Sequence, residues 1–209
     1  MNECTLLADA DAVYLDASIL PKIDIEEDTG SRVARLLIYG TRIPIFVSFV
    51  GLGEFFNVAG KKVTQSRIGT MGYLYGCRAL LKDIEMGKIG HVEPPEERFD
   101  FIKLADAISS RHGRLGGGDV WHLMAVLQLK AQHRQTVFVS FDAKLVEAAS
   151  NEGLAAVNGG EVDPDELVLQ LKSRAASGSW YRARAEGSPM PSGLRDCRCV
   201  EPGMSEREG

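Results

Sequence analysis

Four acidic residues fall where one kind of sequence run gives way to another. Asp16 closes VYLD, Asp119 follows three glycines, Asp142 closes VFVSFD, and Glu54 lies shortly after IPIFVS. Four carboxylates gathered in one small pocket cannot all remain free anions, because like charges raise each other's pKa. A hard divalent cation removes that conflict, since Mg²⁺ and Mn²⁺ take oxygen ligands and keep several waters. An ion held in this way lowers the pKa of its water and polarises a phosphodiester. Ser18 and Ser140 lie two residues from Asp16 and Asp142. On extended backbone that spacing puts hydroxyl and carboxylate on one side, where the hydroxyl can hold a ligand water or orient the carboxylate. An Asp at a strand end is also an ordinary helix cap. The chemistry therefore depends on the elements that carry the four residues to one place.

The stretch Gly116 to Lys144 sets that geometry. Gly116 to Gly118 read as a flexible lead-in, and Asp119 opens a helix with Leu123, Val126, Leu127 and Leu129 at helical spacing. His133 to Gln135 break it. Thr136 to Phe141, TVFVSF, reads as a short buried strand ended by Asp142. A helix of about 14 residues advances about 21 Å, and a strand of about six returns about 20 Å. The chain comes back near its start, with Asp142 beside Asp119 at the end of a sheet where open α/β folds place their sites.

The other elements are expected to bring the remaining acids to the same edge. Ala12 to Leu15 reads as the first strand, ending at Asp16, followed by a polar loop over Pro21 to Asp28. Thr29 to Tyr39 reads as a helix with Ser31 as N-cap and Gly40 at its stop. Ile43 to Val47 is a second strand, after which Ser48 caps a helix, SFVGLGEFFNV, carrying Glu54. Lys61 to Lys88 reads as a helix or helical hairpin broken near Gly69 to Gly72. Its Lys61, Lys62, Arg67, Arg78, Lys82 and Lys88 outweigh Asp83 and Glu85, and Tyr73 and Tyr75 lie among them. Such a segment suits single-stranded RNA, through phosphates and base stacking; it also suits a solvated helix face. Pro94-Pro95 starts a helix with an apolar stripe of Phe99, Ile102, Ala105 and Ile108, and with Asp100 and Asp106 solvated. Ala143 to Asn151 is a helix stopped by Gly153, Ala155 to Val157 a last strand, and Asp163-Pro164 opens a final helix to about Lys172. Strand–helix alternation of this kind implies a parallel sheet with helices on both faces.

Composition bounds the rest. The chain has 209 residues, a net charge of −5 and no global nucleic-acid footprint, so any basic surface is local. Cys4, Cys77, Cys197 and Cys199 form no disulfide framework, which points to a reducing, cytoplasmic setting. Cys197 and Cys199 make a lone C-x-C, half of what a zinc site needs. No apolar run reaches the roughly 20 residues of a membrane span, and no signal peptide is expected. From Ser173 the composition turns to Ser, Gly, Pro, Arg and Glu, so residues 173–209 are expected to be a disordered tail behind a domain of residues 1–172.

The segments VYLDAS, SFVGLGEFF, GGGDVWHLMA and VFVSFDAKLVEAASNEGL resemble the PIN-domain family, over about residues 12 to 158. The resemblance implies a Rossmann-like α/β/α sandwich with a central parallel sheet, and metal-dependent endonucleolytic hydrolysis of RNA. It implies that Asp16, Glu54, Asp119 and Asp142 are the catalytic residues and hold one or two Mg²⁺ or Mn²⁺ ions. The family includes the VapC-like toxins of bacterial toxin–antitoxin pairs, which implies a homodimer and an inhibitory antitoxin partner. This chain departs from the common toxin pattern in its longer Lys61–Gly116 region, a basic insertion at about residues 60–90, and in its tail. Lys61, Lys62 and Arg67 are the candidate RNA contacts. His122, one turn past Asp119, can approach the site, but reads first as a packed or hydrogen-bonded histidine; Trp121 reads as a packing residue. Two alternatives stand beside this reading. One is a non-catalytic PIN-like module that binds RNA or protein. The other is a phosphatase, since Asp9-Ala-Asp11 resembles the nucleophile motif of haloacid-dehalogenase-like enzymes, with Leu6 to Ala8 as its strand.

Overall fold

In the computed structural model of the chain, the residues described are 2–21, 29–65, 68–93 and 98–176. The strands are β1 (Ala12–Leu15), β2 (Ile45–Ser48), β3 (Ile89–Val92), β4 (Thr136–Ser140) and β5 (Ala155–Asn158). They form one sheet in the order β3-β2-β1-β4-β5, and every neighbouring pair is parallel. The helices are α1 (Glu3–Ala8), α2 (Thr29–Tyr39), α3 (Phe49–Thr64), α4 (Thr70–Glu85), α5 (Arg98–Arg111), α6 (Gly117–Gln132), α7 (Ala143–Asn151) and α8 (Pro164–Ala176).

The strand sequences explain the layers. AVYL and TVFVS are buried throughout, as strands covered on both faces must be. Alternation then sorts their side chains. Val13, Leu15, Ile45, Val47, Val137 and Val139 point into one core, with Val33 and Leu37 of α2, Phe55 of α3, Leu80 of α4 and Leu167 of α8. Ala12, Tyr14 and Phe138 point into the other, with Ile108 of α5, Leu123 and Val126 of α6, and Leu145 of α7. The result is the expected three-layer α/β fold with a parallel sheet.

The strand order fixes where a ligand fits. From β1 the chain steps outward through β2 to β3, then crosses to β4 on the other side of β1 and continues to β5. The order reverses between β1 and β4, and the crevice beyond the C-terminal ends of those two strands is the switch point at which open α/β sheets bind ligands. Asp16 directly follows β1, and Asp142 lies two residues past β4.

Several local expectations need correction. Leu6–Ala8 are helical in α1, not strand. Asp9 caps that helix and pairs with Arg174, and Asp11 precedes β1 at the opposite end of the sheet from Asp16. The phosphatase reading loses both its strand and its position. Ser31 lies inside α2 and is buried, so it is not the N-cap. β3 was not expected at all. α3 runs on to Thr64, which puts Lys61 and Lys62 in its last turn. Gly72 is within α4, and the break precedes it, with Gly69 as the cap. On α5 the buried face carries Phe101, Leu104, Ala105 and Ile108, whereas Phe99 and Ile102 are exposed; both stripes share Ala105 and Ile108, and the core selects the i, i+3, i+4, i+7 set. α8 continues past Lys172 because Arg174 donates to the Ala8 carbonyl and pairs with Asp9. Arg67, the Pro94-Pro95 start, most of the Pro21–Asp28 loop, Cys197 and Cys199, and residues 177–209 lie outside the described residues.

Candidate metal centre

Asp16 is the best-fixed acid of the group. It is buried at the end of β1, and its Oδ2 accepts from Ser18 Oγ at 2.6 Å and from Ser140 Oγ at 2.7 Å. The same hydroxyls accept from the next strand–helix junction: Phe141 N–H donates to Ser18 Oγ at 3.1 Å, and Asp142 N–H to Ser140 Oγ at 3.0 Å. The two serines thus lock β1 to β4 at the switch point and leave Asp16 Oδ1 turned the other way. Both hydroxyls donate to Asp16.

Glu54 comes from the second turn of α3. Ser48 ends β2 and caps that helix, its Oγ accepting from Gly51 N–H at 3.0 Å. Glu54 reaches toward α6, where Gly118 leaves the room: a methyl built on Gly118 would overlap Glu54 Oε1. Gly116 to Gly118 are therefore no slack lead-in. Gly116 is the N-cap, Gly117 and Gly118 wind the first turn, and Asp119 is the third helical residue instead of the opening one. Its Oδ2 accepts from Gly116 N–H at 2.9 Å, one of the amides a helix start leaves unpaired.

Electrostatics tie Asp119 to the other acids. Its carboxyl is pushed above the usual carboxylate range, first by burial and then by the charges of Asp142 and Asp16, against the Gly116 N–H bond and His122, which pull it down. Asp142 is itself a helix cap, with Oδ1 accepting from Lys144 N–H at 2.8 Å and Leu145 N–H at 3.4 Å. Asp142 Oδ2 and Asp119 Oδ1 accept no hydrogen bond among the described residues, so each remains available to a ligand.

His122 also approaches the site, one helical turn past Asp119. It is packed and hydrogen-bonded as expected, but its partners are the site itself. Nε2 is 3.0 Å from Glu54 Oε2 and 3.2 Å from Asp16 Oδ1, and Tyr14 OH lies 2.7 Å from Nδ1. Burial holds the Tyr14 hydroxyl far above its ordinary pKa, so it stays protonated. One ligand atom each from Asp16, Glu54 and His122 lies within 4.8 Å of the others. The visible signal was the spacing: His122 is three residues past Asp119, and positions three apart share a helix face. Trp121 packs against Phe101 with ring centroids 4.6 Å apart, in keeping with its expected packing role. Lys61 is exposed and Lys62 half-buried at the end of α3, while Lys88 pairs with buried Asp83 at 2.8 Å and is committed there. Among the described residues, no helix is long and apolar enough to cross a membrane.

No family model matches the chain, and no curated protein matches it. Among solved structures, the chain is similar to the crystal structure of FitAcB from Neisseria gonorrhoeae, at 14% identity over 72% of this chain and 99% of that chain, with a TM-score of 0.46.

Proposed function

We propose that the chain is a divalent-metal-dependent endoribonuclease of the PIN type, with residues 1–172 as its nuclease unit. The observation that carries the reading is geometric: one ligand atom each from Asp16, Glu54 and His122 lies within 4.8 Å of the others, just past the C-terminal end of β1. The donor set fits a hard ion, because it offers several carboxylate oxygens without protein partners and no thiolate among the described residues near them. Asp16, Glu54, Asp119 and Asp142 are the residues that would hold Mg²⁺ or Mn²⁺. Such an ion, when bound, supplies a Lewis acid and a water of lowered pKa.

The chain's own residues do the rest. Ser18 and Ser140 fix the Asp16 carboxylate. Ser48 and Gly118 set the approach of Glu54. The bond from Gly116 N–H holds Asp119 against the first turn of α6. Lys61 and Lys62, in the last turn of α3, are assigned to the RNA phosphates together with Arg67. An antitoxin that fills the acidic cleft, and a homodimer, are the partners that go with this reading, together with a cytoplasmic setting. Incubation with RNA in Mn²⁺ or EDTA tests it, and a protein that binds RNA without cutting it would be the non-catalytic module instead.

A further inference from the structure

The carboxylate set does not account for His122. The residue is 1 % exposed, and its pocket is built for a ring. A methyl on Gly51 would stand 3.0 Å from His122 Cε1, so the bare glycine makes the space. Tyr14 meets the imidazole edge-on at 71° and is itself stacked on Phe138. We infer that His122 Nε2 is a third ligand, beside Asp16 and Glu54, of a mixed nitrogen–oxygen cation site that prefers Mn²⁺ to Mg²⁺, and that Tyr14 orients the ring for that role. The inference rests on the metal-dependent reading above and extends it to the donor set and the choice of ion.

The distances suit the role. Adjacent ligands of an octahedral ion with bonds of about 2.1 Å stand about 3.0 Å apart; Nε2 is 3.0 Å from Glu54 Oε2 and 3.2 Å from Asp16 Oδ1. The proton has somewhere to go. An imidazole ligates through an unprotonated nitrogen, and its other N–H is held by an acceptor that fixes tautomer and orientation. A tyrosine hydroxyl both donates and accepts. With the proton on Nε2, shared toward the two carboxylates, Tyr14 donates to Nδ1. With the proton on Nδ1, Tyr14 accepts that bond, its own O–H turns toward Ser48 beside it, and the Nε2 lone pair faces the pocket. That exchange brings no new charge into the core. The donor then decides the ion: an all-oxygen set suits Mg²⁺, whereas an imidazole nitrogen favours first-row transition metals.

The experiment loads the full chain with Mn²⁺ alone and reads nitrogen coupling to the ion by pulsed EPR. The expected result is a directly bound imidazole nitrogen in the wild type that vanishes in His122→Asn. Calorimetric titrations with Mn²⁺ and with Mg²⁺ accompany it. Mn²⁺ affinity should fall about tenfold or more in His122→Asn and about tenfold in Tyr14→Phe, with Mg²⁺ affinity nearly unchanged. If His122→Asn does not fold, the wild-type spectrum and the Tyr14→Phe titration decide, since Phe keeps the ring that stacks on Phe138. Bound Mn²⁺ without nitrogen coupling overturns the inference, and the nuclease reading survives if RNA is still cut in Mn²⁺. Tighter Mn²⁺ binding in His122→Asn also overturns it, because the Nε2–H group would then be standing in for the ion and competing with it. Failure of both ions to bind overturns this inference and the nuclease reading together.

Discussion

Replacing Asp119 with Asn takes one charge from the site and changes little else. The amide oxygen can keep the bond from Gly116 N–H, which the carboxylate accepts at 2.9 Å, and Asn and Asp cap comparably. The Asp119 carboxyl is raised above its ordinary value by burial first, then by Asp142 and Asp16. A raised acid contributes stability that is fully present below its unfolded pKa of about 3.9 and is lost as pH rises through the folded value. At neutral pH in EDTA the ionised group is therefore a liability, and Asp119→Asn should melt at or above wild type. Partial exposure and screening limit the gain to about 1 kcal/mol, or about 2–4 °C for a chain of this size. Near pH 4 the gap should narrow, because wild type then protonates. If Asp119 were only a first-turn acid, the helix dipole would reverse the sign, and losing the charge would cost about 0.3–1 kcal/mol. Mn²⁺ at a hundredfold excess over its Kd should stabilise wild type by about 2.7 kcal/mol, or about 5–11 °C. The variant should gain less and lose cleavage. Thermal melts at pH 7 and pH 4, with EDTA or Mn²⁺ and beside an RNA-cleavage assay, read all of this. A variant that melts lower in EDTA and still cuts RNA refutes the shared site at this position.

Gly118→Ala should leave the melting temperature unchanged or slightly raised, since Ala favours a helix by up to about 1 kcal/mol, yet it should weaken the Mn²⁺ response and cleavage by displacing Glu54; wild-type cleavage would show that the glycine does not position that acid. Neutralising Lys61 and Lys62 together should weaken RNA binding and flatten the salt dependence by a slope of about 1.4, two phosphate contacts on a single strand, while an unchanged slope returns them to a solvated face. Glu152→Gln tests an ion pair remote from the site. Arg111 donates to Glu152 at 2.8 and 2.7 Å, with His112 at 2.8 Å, and mainly the Arg111 bonds hold the carboxyl below its usual range. A lowered acid contributes stability above its unfolded pKa of about 4.3 that is lost as pH falls through the folded value. Urea melts should show a loss of about 1 kcal/mol at pH 7, since Arg111 is half exposed, shrinking toward pH 3; an equal loss at both pH values would contradict the assignment.

The central strands were legible because their burial is written in unbroken apolar runs. AVYL and TVFVS are read correctly to within a residue, and the acid that follows each is therefore in place. β3 was not legible. Its four residues, IGHV, include a glycine that lies close under the Phe46 ring and an exposed histidine, so an edge strand with one half-open face gives no continuous signal. The stripe on α5 was misread for a related reason: Phe99 and Ile102 are as apolar as Phe101 and Leu104, and only the core distinguishes the two faces. α1 escaped because six residues carry too little periodicity; its cue was local, in Asn2, whose side chain accepts from Cys4 N–H. At the site, residue types pointed to the carboxylates and their serines. The part of His122 depended on Tyr14, Gly51 and Glu54, which are far apart in sequence and converge only through the sheet order.

Cleavage of RNA in the presence of Mn²⁺, by wild type and Asp16→Asn with Asp9→Asn as control, tests the central claim most directly. The account predicts cutting of RNA by wild type and Asp9→Asn that EDTA abolishes, and no cutting by Asp16→Asn, whose carboxylate Ser18 and Ser140 hold at the switch point. Cleavage that persists in EDTA, or that is lost equally in Asp9→Asn, would contradict it.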